Sequence, residues 1–229
     1  MFKSITKNAA EIGISVNTKK TQLLAIIPPH RQGTRTFVQS RDDDNNIITT
    51  LSGDELKILG FYFGTKPNAS RHVFHLKRKF WARAWVLRHL SKAGLPCNDL
   101  VKIYKSLVRP ILDYSAIIYH SILNKTENKE MEDLQKKDLR IIYGRKTTYQ
   151  DCLELSGVET LFDSRAALVD AFFKKTIANP RYEEWFPVRK FIHHDMRKEN
   201  IYVEKFARSD RLYMNPLYFY RRRLNEIGL

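Results

Sequence analysis

Cysteine is almost missing from this sequence. The two present, Cys97 and Cys152, stand far apart, with no Cys-x-x-Cys and no Cys/His cluster near either. That excludes a zinc module or a disulfide framework as the basis of the fold, and no metal ligand set is predicted. Long apolar runs are missing too, none approaching the ~20 residues that span a bilayer. The first residues, MFKSITKNAAEIG, lack the apolar core of a secretory signal. These absences predict an intracellular chain, nuclear or cytoplasmic, with no membrane partner. The third absence is local: from Leu56 through Asn98 there is no Asp or Glu, although six acids precede this span and nineteen follow it from Asp99 onward.

What fills the acid-free span is positive charge: Lys57, Lys66, Arg71, Lys77, Arg78, Lys79, Arg83, Arg88 and Lys92. Over the whole chain 40 Lys and Arg face 25 Asp and Glu, a net charge of +15. Such a concentration points to an anionic partner, a phosphate backbone first and an anionic membrane surface second. With 43% hydrophobic and 12% aromatic residues the chain can bury a core, as one domain or two small ones.

The span reads as a buried strand, LKILGFYFG, a turn at Gly64-Thr65-Lys66-Pro67, and one long basic helix. On that helix Val73, Leu76, Phe80, Ala84 and Leu87 share one stripe of period 3.6, the predicted core face. Phe74, Trp81 and Trp85 fall about a quarter-turn away, flanked by Lys77, Arg78 and Arg88. Aromatics among cations can stack on bases while the cations hold phosphates. In the other reading both tryptophans pack against a neighbouring helix, which the usual burial of tryptophan favours.

Before the span, Phe2, Ile5, Ala9 and Ile12 have helical spacing with Gly13 at the C-cap. A short extended piece, Ile14–Val16, leads to a buried strand expected at Gln22–Ile27, with weak strand signals at Thr36–Val38 and Ile47–Thr50 in a polar hairpin or loop. Asp42-Asp43-Asp44 has no apolar frame to aim it at a metal and reads as a solvated loop, and His193-His194 lacks companion ligands at metal spacing and reads as exposed. After the span, Asn98 is expected to cap DLVKIYKSLVR, which continues into PILDYSAIIYHSIL, Pro110 either starting a second helix or kinking one. A polar strip here holds Lys102, Lys105 and Arg109, closed by Asp113. Asn124 caps a helix ended by Gly144, a weaker helix covers Tyr149–Leu155, and another ends at Asn179-Pro180. The tail from Ile201 mixes arginines with Tyr and Phe and is expected to be loosely ordered. The predicted fold is α+β, mainly α: a small antiparallel sheet over residues 14–63, then a helical bundle over 68–179.

The order of these pieces resembles the reverse transcriptases of non-LTR (LINE-type) retrotransposons. Gly13-Ile14-Ser15-Val16-Asn17 with Lys20-Thr21 is similar to the family's fourth palm motif. Leu59-Gly60-Phe61 resembles its primer-grip strand. Tyr104, Pro110, Leu112 and Asp113-Tyr114 match its thumb signature, and Leu134-Gln135, Leu139-Arg140 and Gly144 match the helix beyond it. The run ARSDRLYMNPLYFYRRRLN is similar to its C-terminal end. The resemblance implies a palm remnant over residues 1–66, thumb-like helices over 67–125, and a helical extension with a basic tail over 126–229.

It also implies a role: binding a template–primer duplex of RNA and DNA by its backbone, with upstream palm and fingers as a further partner. Lys57 and Gly60 would approach the primer, Arg78, Arg88, Lys102, Lys105 and Arg109 would contact phosphates, and Trp81 and Trp85 are candidates for stacking. Lys20 matches the motif lysine near the nucleotide phosphates. The family's metal-binding aspartates, an aromatic-x-Asp-Asp hairpin among them, have no counterpart here, so no catalytic set is complete. Mg²⁺ is expected only with the upstream palm. Met1 is then an internal methionine or the start of a truncated element. Two alternatives stand beside this: a partial record of an active RNA-directed DNA polymerase, and a domesticated basic helical module that binds protein or lipid.

Overall fold

The computed structural model describes residues 2–17, 22–23, 50–51, 55–64, 68–188, 201–204 and 213–227. The chain divides into two compact units, residues 1–72 and 73–229. No described helix is long and apolar enough to cross a membrane.

In the first unit α1 (Phe2–Glu11) ends where Gly13 turns to φ +74°, its N–H bonded to the Ala10 carbonyl and that of Ile14 to Ala9. β1 (Gln22–Leu23) pairs with β2 (Thr50–Leu51) in parallel, where only antiparallel pairing was expected. β3 (Glu55–Ile58) and β4 (Phe61–Gly64) form an antiparallel hairpin. The predicted single strand LKILGFYFG is therefore two strands. Leu59 and Gly60 turn between them with φ of 47° and 85°, both in the left-handed region that a tight two-residue hairpin turn requires. Gly60 adopts that geometry without strain, whereas Leu59, 88% exposed, pays a steric penalty to do so. Phe61 is buried and stacks on His72, ring centroids 4.2 Å apart. The turn expected at residues 64–67, and the strands expected at 24–27, 36–38 and 47–49, lie outside the described residues.

The second unit is helical, and with the hairpin it makes the fold α+β, mainly α. Its first helix, α2 (Ser70–Lys92), buries the predicted stripe: Val73, Leu76, Phe80, Ala84 and Leu87 are each at most 3% exposed. Truncating Phe80 to Ala should accordingly remove about 3–5 kcal/mol of stability. α3 (Cys97–Ile103) starts two residues earlier than expected, with Pro96 and not Asn98 at its N-cap. It runs through a wide π turn, Tyr104–Val108, into α4 (Arg109–Asp113). Pro110 has no N–H to give the helix, and the Arg109 N–H reaches back five residues to the Tyr104 carbonyl. So Pro110 kinks a continuous path.

Ser115, at φ 63°, turns the chain into α5 (Ala116–Tyr119) and a 3-10 turn, His120–Ile122. α6 (Lys125–Tyr143) opens on a reciprocal cap: Asn124 Oδ1 accepts from the Glu127 N–H at 2.8 Å, and Glu127 accepts from the Asn124 N–H at 3.0 Å. α7 (Tyr149–Ser156) and α8 (Leu161–Ile177) are capped by Thr148 and Thr160.

The tail is more ordered than expected, for α9 (Pro216–Ile227) lies on α8. Tyr220 and Leu224 join Val169, Phe173 and Phe186 in one cluster, Tyr220 stacking on Phe173 at 4.1 Å, and Arg223 binds Asp170 through two hydrogen bonds of 2.8 Å.

Candidate nucleic-acid interface

α2 and α6 run side by side in the same direction, Lys77 pairing with Glu130 at one end and Ser91 Oγ donating to the Ile141 carbonyl, at 3.1 Å, near the other. Between their C-terminal halves is a cleft of about 650 Å³ lined by Trp81, Arg88, Ser91, Lys92, Lys137, Arg140, Ile141 and Arg145. Helical spacing explains the convergence. On α2 residues 81, 88 and 92 share a face beside the core stripe, and on α6 residues 137, 140 and 141 do the same. Gly144 ends α6 at φ 91°, and the chain turns so that Arg145 joins the rim.

The lining contains five cations and no carboxylate. None of the five has an ion-pair partner among the described residues. Trp81 is 43% exposed, with Lys137 Nζ 5.2 Å from its ring centroid. Asp138 is fully buried next to Lys137 in the chain, and neither of its carboxylate oxygens makes a hydrogen bond. Burial pushes its pKa up to about 7, against the pull of Arg88. Below that pH it is largely protonated and cancels little of the cleft's charge. Such a surface can hold a run of phosphates and offer one ring face for stacking.

The predicted residues meet this cleft unevenly. Arg88 and Trp81 are in it. Arg78 and Trp85 lie exposed on the same side of α2 but outside the lining, and Trp85 is 59% exposed with the His89 ring 3.8 Å away. Neither tryptophan is buried as the packed reading expects, although Trp81 stands beside α6. Lys102 is exposed and paired with Asp99 at 2.8 Å; Lys105 reaches the Gly157 carbonyl at 3.4 Å. Lys57, exposed on β3 with its Nζ 5.5 Å from the Tyr62 ring centroid, and Gly60, in the hairpin turn, belong to the other unit. Lys20, Asp42–Asp44 and His193-His194 lie outside the described residues.

Arg109 is the main correction. It is buried, not on an exposed strip. Its Nε donates to Asp113 at 2.9 Å, and its Nη atoms donate to Gln135 and to the carbonyls of Glu159 and Thr160. Burial works against its charge, but Asp113 and Tyr104 outweigh it and the pKa is raised. The Tyr104 hydroxyl donates to Gln135 Oε1 at 2.8 Å, and Gln135 Nε2 donates to the Tyr149 hydroxyl and the Glu159 carbonyl, both at 2.9 Å. Tyr149 donates in turn to Glu132, whose carboxylate accepts the Leu161 N–H. This seam ties the kinked path, α6 and the start of α8 together. Tyr104, Asp113 and Gln135, which carry much of the family resemblance, sit in or beside it.

Lys137, Arg140 and Arg145 were not among the predicted site residues. Their spacing on and just beyond α6 was visible, but nothing in the sequence says that this face meets α2. Compared with known protein families, characterised proteins and solved structures, the chain shows no significant match.

Proposed function

We propose that this chain binds nucleic acid by its backbone through the cleft between α2 and α6, as the thumb-side part of a non-LTR-type reverse transcriptase, with no polymerase chemistry of its own. The observation that carries the binding half is the convergence of Arg88, Lys92, Lys137, Arg140 and Arg145 around an exposed Trp81, with no carboxylate in the lining. Backbone contacts of this kind position a strand and read no sequence. The polymerase half rests on the ordered motifs from Gly13 to Gly144. Phosphate contact by Arg109 is withdrawn, because its donors face Asp113, Gln135 and two carbonyls.

The test is a titration of the purified chain with an RNA–DNA duplex and with duplexes of other sequence, from low to high salt. If about four phosphates are engaged, log K should fall with log salt at a slope of roughly −3 to −4, the same for every sequence. Binding that ignores salt, or anionic vesicles that displace the duplex completely at equal charge, would count against it. Primer extension with Mg²⁺ or Mn²⁺ should be absent, and template-dependent incorporation by the chain alone would overturn the polymerase half.

A further inference from the structure

The face of α2 that reaches the cleft continues beyond it. At about 100° per residue, Phe74, Arg78, Trp81, Trp85, Arg88 and Lys92 fall within about 40° of one line along the helix, over about 27 Å of its length. All six side chains are exposed, the three aromatic ones by 54%, 43% and 59%. Tryptophan is seldom left so open, and three such rings on one line mark an interaction surface. Each indole is also held from one side. Lys137 Nζ stands 5.2 Å from the Trp81 ring centroid. The His89 ring packs on Trp85 at 3.8 Å, and its Nδ1 donates to the Trp85 carbonyl at 2.8 Å, which fixes it there. A ring backed on one face and open to solvent is a platform that loses little freedom when a flat partner stacks on it.

The chemistry of this line chooses among anionic partners. α2 carries no Asp or Glu, and among the described residues none of Arg78, Arg88 and Lys92 has an ion-pair partner. An interfacial membrane helix sinks its aliphatic face into lipid, but here Val73, Leu76, Phe80, Ala84 and Leu87 are inside the protein. A duplex can use the cations but not the rings, because its bases cover one another's faces. An unpaired strand uses both. Trp81 and Trp85 are about 6 Å apart along the axis, wider than the ~3.4 Å step of a stacked strand, a spacing that suits bases free to unstack. We propose that the exposed line of α2 binds an unpaired strand, its bases on Phe74, Trp81 and Trp85 and its phosphates on Arg78, Arg88 and Lys92. The chain then selects single-stranded over paired nucleic acid, and a duplex binds through phosphates alone. This names the substrate class of the cleft and rests on the cleft reading for Arg88 and Lys92, whereas Phe74, Arg78 and Trp85 lie outside the lining.

The test is fluorescence anisotropy of labelled probes with the full chain at one salt concentration. The probes are a mixed-sequence single strand of about 12 nucleotides, within the usual site size of such surfaces, an abasic strand with as many phosphates, and a blunt duplex of the same length. Phosphatidylserine vesicles serve as competitor. The single strand should bind about tenfold or more tighter than the abasic strand, since stacking on one ring is worth that order. Trp85→Ala should weaken the single strand about five- to 150-fold, the usual loss of one stacked base, and leave the abasic strand, the duplex and the melting temperature unchanged. Trp85→Phe should restore most of the binding, and Phe74→Ala should act in the same direction as Trp85→Ala. Equal binding of the single and abasic strands would overturn the proposal. So would a folded Trp85→Ala variant that binds the single strand like the parent, or vesicles that displace the strand completely at equal charge. If either of the first two results appears while Arg88→Gln/Lys137→Gln/Arg140→Gln still weakens the duplex, the cleft reading stands and this inference falls. If that triple variant changes nothing while Trp85→Ala still weakens the single strand alone, the rings select the unpaired strand and the cleft reading falls.

Discussion

The cleft beside Trp81 and the seam around Gln135 lie in the same helical unit and draw on the same residue types, but they treat their arginines in opposite ways. In the seam, Arg109 is buried and its donors are directed at Asp113, Gln135 and two carbonyls of the α7–α8 connection. In the cleft, Arg88 and Arg140 face other cations and an indole, with no ion-pair partner among the described residues. What separates a structural arginine from a binding one is thus what the opposing helix offers. A helix that presents acceptors turns a cation into an internal tie. A helix that presents more cations leaves the charge for a partner from outside, at some cost in mutual repulsion.

If that contrast is right, Arg109→Leu should be the most damaging change in either region. It leaves the half-buried Asp113 without its partner and Gln135 and two carbonyls without their donor, and should cost about 3–5 kcal/mol, read as a lower urea midpoint with an unchanged slope. A loss under about 1 kcal/mol, the size of a surface pair, would mean the seam holds nothing together.

Asp138 is felt from both regions, by Arg88 of the cleft and Tyr104 of the seam. Its carboxyl titrates near 7 in the folded chain against 3.8 as a model compound. Between those values the folded chain keeps a proton that the unfolded chain has lost, so stability falls as pH rises, by up to about 1.4 kcal/mol per unit. His120 acts oppositely between about 4 and 6.5, where the unfolded chain holds the extra proton and stability rises with pH. The difference between Asp138→Asn and the parent removes the His120 contribution. That difference should shift steadily in favour of the variant from pH 4 to 7 and then level off. A flat difference would show that Asp138 does not titrate in this window.

Trp81→Ala should weaken single-strand binding by about 1–3 kcal/mol, the usual loss of one stacking platform, with little change in melting temperature. Equal affinity would leave the indole as a mere wall for Lys137. The smallest effect belongs to Lys102→Gln with Lys105→Gln, which should leave duplex affinity and its salt slope unresolved from the parent, since neither lines the cleft.

Much of this was legible in the sequence. The α2 core stripe, the Asn124 cap and the Gly144 stop are encoded by local spacing, and local spacing delivered them. Arg109 was placed wrongly because the strip through Lys102, Lys105 and Arg109 assumed an unbroken α-helix. The π turn at Tyr104–Val108 inserts about one residue, roughly 100° of rotation, and carries Arg109 inward. The hairpin was hidden in one apolar run, because Leu59 carries no turn signal and only Gly60 marks the corner. α9 was missed although Leu217, Tyr220 and Leu224 are spaced for one face, since the arginines between them mask the pattern. The cleft is the least legible feature. Lys137, Arg140 and Arg145 lie more than forty residues from Trp81 in the chain, and only packing brings them together.

The central claim is that the cleft, and not exposed charge in general, holds the phosphates. The direct test is the salt dependence of duplex binding for Arg88→Gln/Lys137→Gln/Arg140→Gln beside Lys102→Gln/Lys105→Gln and the parent. Three lost phosphate contacts should flatten the slope of log K against log salt by about 2.7, while stability stays within about 0.5 kcal/mol, as for surface changes. The double variant should follow the parent. Equal slopes for all three chains, or a larger change in the double variant than in the triple, would contradict the claim.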